Sequence, residues 1–362
     1  MSRNSKLVAA VVVVVLLGGY AVYKNSQSTP DNIKIGVLGI ASGDGAAWGE
    51  SARRGINLAV EEFKKENSMI AIEVVYEDTG GDPKRAVTSY QKLISIDRAD
   101  VIIGPLFQSE VAAIAPLVAK DGVPVVALSY APLQNRPNLR NPLVIWMDAT
   151  IEAQRIAEYV YDQGARTAGV LGTKDNWENE VSNAFADKFQ SLGGTIFNKE
   201  IVQSDSVDTK LPITRILSQK PEAIFLGTYY QFVSGLKTLK NLRFPGKVYS
   251  IEVDSYLADQ TKAYSSGLRF IGPDFYVGDF MNKFEARFGQ KPGIPAGQSY
   301  DVANILLSFI RKSRNAQDIL QMMRDFKEYK GVSGTITVTD DNKVLFPTAI
   351  FEIQNGQVVK IQ

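Results

Sequence analysis

Short apolar runs alternate with amphipathic stretches along most of the chain. Runs with the length of buried strands occupy residues 33–40, 71–76, 101–103 and 123–128. Stretches with apolar positions at helical spacing lie between them, at residues 48–65, 83–96 and 109–120. Asp82-Pro83 supplies an N-cap and a first-turn proline for the second of these helices. This βα order predicts a parallel sheet covered by helices on both faces.

The same order begins again after residue 146. Its predicted strands are residues 167–171, 195–201, 223–226 and 248–251. Its predicted helices are residues 151–162, 178–192, 210–219 and 232–241. Two successive βα halves predict two similar α/β lobes, and a length of 362 residues fits two domains.

The C-terminal part departs from this order. Helical patterns at residues 280–288, 297–311 and 316–327 precede a stretch in which apolar and polar residues alternate. Turn residues lie at 340–342 and at Asn355-Gly356. We therefore expect antiparallel strands in this last part of the sequence.

An apolar segment, residues 7–23, follows Arg3 and Lys6 and is followed by Lys24. It is just long enough to cross a bilayer, and the basic residues before it favour an exported remainder. We expect residues 1–24 to be a retained membrane anchor, with a cleaved signal segment as the alternative. An Ala-x-Ala site does not end the run cleanly, and the lack of cysteine excludes a lipobox. Residues 25–32 are polar and form a tether.

Composition narrows the functional classes. The 40 basic and 39 acidic residues leave a formal net charge of +1, without the basic footprint that a nucleic-acid partner needs. The chain has no cysteine and no histidine, so thiolate nucleophiles, disulfides and cysteine–zinc sites are excluded, and the commonest general base is missing. We expect a protein that is not an enzyme and that holds no metal and no cofactor. No paired-carboxylate constellation is evident in the sequence.

A glycine-rich turn, SGDGAAWGES at residues 42–51, joins the first strand to the first helix. Its glycines spell G-x-G-x-x-x-G, no Gly-Lys-Ser/Thr follows, and Asp44 would repel a phosphate. Two interpretations remain. The turn needs a positive φ, or the free N–H groups at the helix start bind a carboxylate beside Trp48.

Three segments occur in one order: IKIGVLGIASGDGAAWGESARRGINLAVEEF, DPKRAVTSYQKLI with ADVIIGPLFQSEVAAIAPLVAKDGVPVVALS, and SGTITVTDDNKV. Together they resemble the Leu/Ile/Val-binding-protein-like class of type I periplasmic solute-binding proteins, over residues 33–361. The resemblance implies two Rossmann-like α/β lobes that are joined by a three-crossover hinge and close on a ligand. Lobe one would comprise residues 33–145 plus 276–330, and lobe two residues 146–275 plus 331–362.

The resemblance also implies a monomer that delivers its ligand to an ABC permease. A ligand-sensing ectodomain is one alternative. We expect its signalling partner to be a separate protein, because this sequence contains no output module. A Rossmann-like enzyme is the other. Stabilisation by amino acids or by nucleotides would distinguish a receptor from an enzyme.

The resemblance further implies which residues line the cleft. The lobe-one candidates are Trp48, Gln108, Ser109, Ser129, Tyr130 and Ala131. The lobe-two candidates are Trp177, Tyr229 and Glu252, the last receiving the ligand ammonium. A zwitterionic amino acid needs such a set: donors for its carboxylate, an acid for its ammonium, and aromatic walls.

Some of these residues depart from the pattern of the class. Gln108 and Tyr130 are bulkier than its usual residues, and both cleft walls carry tryptophan. We therefore expect a cleft that is less suited to a branched-chain aliphatic ligand and that favours an aromatic, amide or other ligand.

Overall fold

The computed structural model describes residues 32–362 apart from 44, 130–139, 175, 204, 207, 254, 275–278 and 341. The expected membrane anchor, residues 1–24, and the tether up to residue 31 lie outside the described residues. So do two site candidates, Tyr130 and Ala131. Within the described part of the chain, no helix is both long and apolar enough to cross a membrane.

The first half forms a five-stranded parallel sheet in the order β2-β1-β3-β4-β5. Its strands are β1 (Asn32–Gly39), β2 (Ala71–Asp78), β3 (Val101–Ile103), β4 (Val125–Ala127) and β5 (Leu143–Val144). Its connecting helices are α1 (Ala46–Glu66), α2 (Pro83–Ser95) and α3 (Gln108–Asp121). Asp82 caps α2 by accepting a hydrogen bond from the Arg85 N–H, which confirms the predicted start of this helix.

The second half builds a seven-stranded sheet in the order β15-β14-β10-β9-β8-β6-β7. Its βα part has the strands β6 (Thr167–Thr173), β7 (Thr195–Val202), β8 (Ala223–Gly227), β9 (Lys247–Ile251) and β10 (Arg269–Pro273). The helices of this part are α4 (Ala149–Asp162), α5 (Asn176–Ser191), α6 (Lys210–Leu217), α7 (Phe232–Asn241) and α8 (Ser255–Thr261). The strands β6 to β10 are parallel where they pair, as the βα order predicts.

The C-terminal part returns to both sheets. Its helices are α9 (Phe280–Phe288), α10 (Ile294–Lys312) and α11 (Ala316–Asp325). Its strands are β11 (Glu328–Gly331), β12 (Gly334–Val338), β13 (Val344–Leu345), β14 (Thr348–Gln354) and β15 (Gln357–Lys360). The predicted turn at Asn355-Gly356 joins β14 to β15, with φ values of 53° and 77°.

The small antiparallel sheet of β11, β12 and β13 belongs to the core of the first half. Ile336, Val338 and Val344 pack into the same cluster as Ile35 of β1. The resemblance assigned residues 331–345 to lobe two, whereas these side chains lie with lobe one. The pairing of β14 with β10 brings the chain to the second sheet only after residue 347. The remaining lobe boundaries stay a prediction.

Candidate ligand-binding site

Trp48 lies at the start of α1, at the carboxyl end of β1, and is half-buried. A Cβ on the next residue, Gly49, would lie 1.8 Å from the Ile40 carbonyl oxygen, so only glycine lets α1 begin directly on the strand end. The Trp48 ring centroid is 6.4 Å from that of Tyr229, which follows β8 of the other sheet. The two predicted cleft aromatics therefore meet between the lobes.

Trp146 is a member of this aromatic group that the sequence analysis missed. Its ring centroid lies 5.8 Å from that of Trp48, and its side chain is buried. Trp146 lies between β5 and α4, in the segment that connects the first sheet to the second. The sequence marked this position only as the point where the βα order begins again, because periodicity carries no information on contacts between distant segments.

Asp78 organises the loop that precedes α1. Its carboxylate accepts hydrogen bonds from Ala41 N–H (2.8 Å), Ser42 Oγ (2.7 Å), Gly80 N–H (2.9 Å) and Arg85 Nη2 (2.8 Å). Burial raises the pKa of Asp78, but these donors outweigh it and hold the pKa well below its usual range. One carboxylate thus ties the β1–α1 loop to the β2–α2 loop.

The glycine-rich turn itself adopts a left-handed conformation at Gly43, with φ of 79°. This agrees with the interpretation that the turn needs a positive φ. Gly45 is the N-cap of α1 and provides no side-chain cap, so the first N–H groups of the helix are not bonded by a capping side chain. Asp44 lies outside the described residues.

The other lobe-one candidates follow β3 and β4. Gln108 and Ser109 are the first two residues of α3 rather than part of the preceding loop; Gln108 is half-buried and Ser109 is exposed. Glu110, which is fully buried, accepts a hydrogen bond from the Phe107 N–H at 2.9 Å and so fixes this helix start. Ser129 is buried just beyond the end of β4.

On the second sheet, Trp177 and Tyr229 follow the neighbouring strands β6 and β8. Trp177 is half-buried and packs against the core of this lobe. The buried Glu178 accepts a hydrogen bond from the Tyr229 N–H at 2.8 Å. Below this contact, Thr173 Oγ1 donates to Gln231 Oε1 at 2.6 Å. These buried polar contacts hold the two loops at one edge of the sheet.

Glu252 follows β9 and is only 8% exposed. Its backbone has φ of 47°, and its N–H donates to the Ile271 carbonyl at 2.8 Å. The register of β8 with β9 pairs Leu226 with Ser250, which brings the loops of Tyr229 and Glu252 side by side. The predicted aromatic and the predicted acid thus share the carboxyl edge of this sheet.

The structure also brings Glu152 to Glu252, a carboxyl pair that the sequence analysis did not anticipate. Glu152 lies in the first turn of α4 and is 1% exposed. Burial and then the neighbouring Glu252 carboxylate raise the pKa of Glu152 well above its usual range. In the sequence, Glu152 reads as an ordinary first-turn helix acid, and nothing connects it to a residue so distant along the chain.

The fold and the candidate site described above agree with the protein family that the sequence matches. A profile of the periplasmic binding protein family matches residues 32–357. The chain therefore belongs to the periplasmic binding proteins, as the resemblance implied. This family consists of solute-binding proteins and not of enzymes, and its description implies an extracytoplasmic location.

Two curated relatives illustrate the match. The chain is 25% identical over 203 residues to the Leu/Ile/Val-binding protein BraC3 of Rhizobium johnstonii, covering 55% of each protein. It is 21% identical over 339 residues to the leucine-, isoleucine-, valine-, threonine-, and alanine-binding protein of Pseudomonas aeruginosa, covering 87% of each. The matched segment thus spans only about half the length of the Rhizobium protein.

Solved structures share the fold. LivJ from Streptococcus pneumoniae, in complex with isoleucine, superposes with a TM-score of 0.81 at 19% identity, covering 91% of this chain and 100% of LivJ. A solute-binding protein of an ABC transporter from Rhodopseudomonas palustris, in complex with 3,4-dihydroxybenzoic acid, has a TM-score of 0.81 at 19% identity, covering 91% and 96%. The two-lobed α/β fold is therefore confirmed.

Proposed function

We propose that the protein is an extracytoplasmic receptor that closes on an amino acid or a similar small zwitterion and delivers it to an ABC permease. The supporting observation is the buried Glu252 carboxyl, which shares a sheet edge with Tyr229, while Tyr229 contacts Trp48 of the other lobe. Parallel α/β sheets bind ligands at the carboxyl ends of their strands, and this edge is such a place.

In this account, each lobe binds one end of the ligand. The ligand carboxylate docks on lobe one, at the uncapped N–H groups of α1 and at the donors of Ser109 and Ser129. Its ammonium docks on Glu252 of lobe two. Hinge closure then brings Trp48 and Trp177 around the ligand, and exclusion of water strengthens both charge-assisted contacts.

The ligand class follows from the chemistry of lobe two. Neighbours with this fold were solved with an amino acid and with an aromatic acid, so the fold accepts both classes. An aromatic acid without an amino group offers no cation to Glu252, and burying a carboxylate without a cation or donors is costly. We therefore favour a zwitterion, with an aromatic or amide side chain facing the tryptophans.

We further propose that the receptor acts as a monomer held to the membrane by residues 1–24. Such an anchor raises the effective concentration of the receptor near its permease. A cleaved signal segment would release the same receptor into the periplasm. N-terminal sequencing of the protein recovered from its native membrane fraction distinguishes the two fates.

The direct test measures thermal stabilisation of the purified protein. We expect at least one proteinogenic amino acid to raise the melting temperature, and NAD and ATP to leave it unchanged; stabilisation by a nucleotide alone would overturn the proposal. In Glu252→Lys, the amino acid should no longer stabilise a protein that remains folded. Glu66→Lys, an equal charge change at an exposed helix end, should bind as the wild type does.

A further inference from the structure

Glu152 and Glu252 lie on packed elements of lobe two. Glu152 projects from the first turn of α4, and α4 packs on β9 and β10, with Glu252 at the end of β9. The side chains are 1% and 8% exposed, and the two carboxyl groups are close enough to hydrogen-bond to each other. Two acids thus occupy one site from which water is largely excluded.

The surroundings of Glu152 offer little that would stabilise a negative charge on its carboxyl group. Among the described residues, neither Glu152 oxygen accepts a hydrogen bond from an N–H or O–H group. The other charged groups that act on Glu152 are Asp148, which caps α4 and adds negative charge, and Arg155. Arg155 is exposed, and its guanidinium donates to Thr348 Oγ1 instead.

A proton shared by the two carboxyl groups removes the repulsion between them and gives Glu152 a hydrogen-bond partner. Two adjacent buried carboxylates repel each other and each is costly to desolvate, so one of them retains its proton. A protonated carboxyl group is a hydrogen-bond donor, and its neighbour is then a carboxylate acceptor. The burial of Glu152, which exceeds that of Glu252, selects Glu152 as the protonated member.

We propose that Glu152 is a positioning residue, held neutral in the folded protein, that donates a hydrogen bond to the Glu252 carboxylate and aims it at the cationic end of the ligand. The pair then carries a single negative charge, which matches one ammonium group. This inference rests on the proposed function for the identity of the ligand, but the protonation of Glu152 does not depend on any ligand.

The first test is made on the empty wild-type protein. NMR measures the chemical shift of the Glu152 side-chain carboxyl carbon as the pH is raised. This signal is assigned by through-bond correlation with the backbone of the same residue. Glu152 should titrate at a clearly higher pH than solvent-exposed glutamate side chains do, because burial and the neighbouring Glu252 carboxylate both raise its pKa. Titration of Glu152 together with the exposed glutamates would overturn the proposal.

The second test compares two substitutions by calorimetric titration with the proteinogenic amino acid that binds the wild type most tightly. Glu152→Gln retains a donor to Glu252 and should bind within about 3-fold of the wild type, whereas Glu152→Ala should bind about 10-fold more weakly or worse. Equal losses in both variants would contradict a positioning role. If no amino acid binds the wild type, the proposed function fails, and the NMR titration still decides whether Glu152 is neutral.

Discussion

The ring of Trp48 meets the ring of Tyr229 edge to face, with 6.4 Å between the ring centroids and 81° between the planes. The two residues belong to different sheets, so this contact joins the lobes. An aromatic pair of this geometry contributes about 0.5–1.5 kcal/mol beyond its buried area. That free energy is small enough for the contact to form and break in the hinge motion that we propose.

Removal of the Tyr229 ring should weaken ligand binding. We expect Tyr229→Ala to lower affinity for the preferred amino acid about 10-fold or more, because the ring is both a cleft wall and an interlobe contact. Tyr230→Ala is the matched control, since Tyr230 is the next residue, is 48% exposed and contacts the Tyr229 ring from outside. Calorimetric titration measures both; equal losses would remove Tyr229 from the site.

Close packing of α1 on α10 should make Gly55 intolerant of a side chain. A Cβ there would lie 2.1 Å from the Ala296 carbonyl oxygen, so Gly55→Ala forces the helices apart. We expect it to lower the free energy of unfolding by about 1–3 kcal/mol. Gly39→Ala has no atom near its added Cβ and should be close to neutral. Urea denaturation of the two variants checks this, and similar midpoints would contradict it.

The Asp78 carboxylate should stabilise the protein in a pH-dependent manner. Asp78→Asn loses charge-assisted hydrogen bonds to Ser42 and Arg85, and we expect a loss of about 1–2 kcal/mol at about pH 7. Because folding lowers the pKa of Asp78, its stabilisation is fully present above the unfolded pKa of about 4 and declines as the pH falls toward the folded value. Urea denaturation of the wild type and the variant should therefore give midpoints that converge in acid.

An exposed acid serves as the control for Asp78. Asp259 makes a surface ion pair with Lys262 at 3.2 Å, and such pairs contribute little. Asp259→Asn should change the free energy of unfolding by less than about 0.5 kcal/mol, both at neutral pH and in the acid range used for Asp78. A pH-independent loss in Asp78→Asn would mean that its effect is one of shape and not of charge.

Asp301 should have the opposite pH dependence. It is buried on α10 and accepts hydrogen bonds from the N–H groups of Val332 (2.9 Å) and Ser333 (2.8 Å), yet burial raises its pKa to about 6. A folded pKa above the unfolded one means that its stabilisation is complete below about pH 4 and is lost as the pH rises through 6. The loss amounts to about 3 kcal/mol at most.

The non-titrating variant Asp301→Asn isolates this effect. It should be less stable than the wild type at about pH 4.5, because the amide NH2 group only donates and would face one of the two N–H groups, whereas the hydroxyl oxygen of the protonated acid can still accept. The difference in free energy of unfolding should shrink by about pH 7, where ionised Asp301 itself is costly. A difference that stays constant or grows with pH in urea denaturation would contradict the raised pKa.

The sequence predicted the elements well because their signals are local. The Asp82-Pro83 cap, the βα order and the Asn355-Gly356 turn each depend on a few adjacent residues and are confirmed. The contact of Trp48 with Trp146, the pairing of Glu152 with Glu252 and the return of β12 to the first core depend on tertiary packing. Local patterning carries no information on such contacts. The glycine-rich turn pointed to Trp48, and the other candidate cleft residues were indicated by the resemblance.

The most direct test of the central claim, that lobe two recognises a cationic group, compares an amino acid with its deaminated analogue. Calorimetric titration of the tightest-binding proteinogenic amino acid is set against the same molecule without its amino group, such as L-phenylalanine against hydrocinnamate or L-leucine against isocaproate. We predict that the amino acid binds about 100-fold more tightly or better, because the analogue leaves the Glu252 carboxylate without its partner. Equal affinity for the analogue, or binding of benzoate in the absence of any amino-acid binding, would contradict the account.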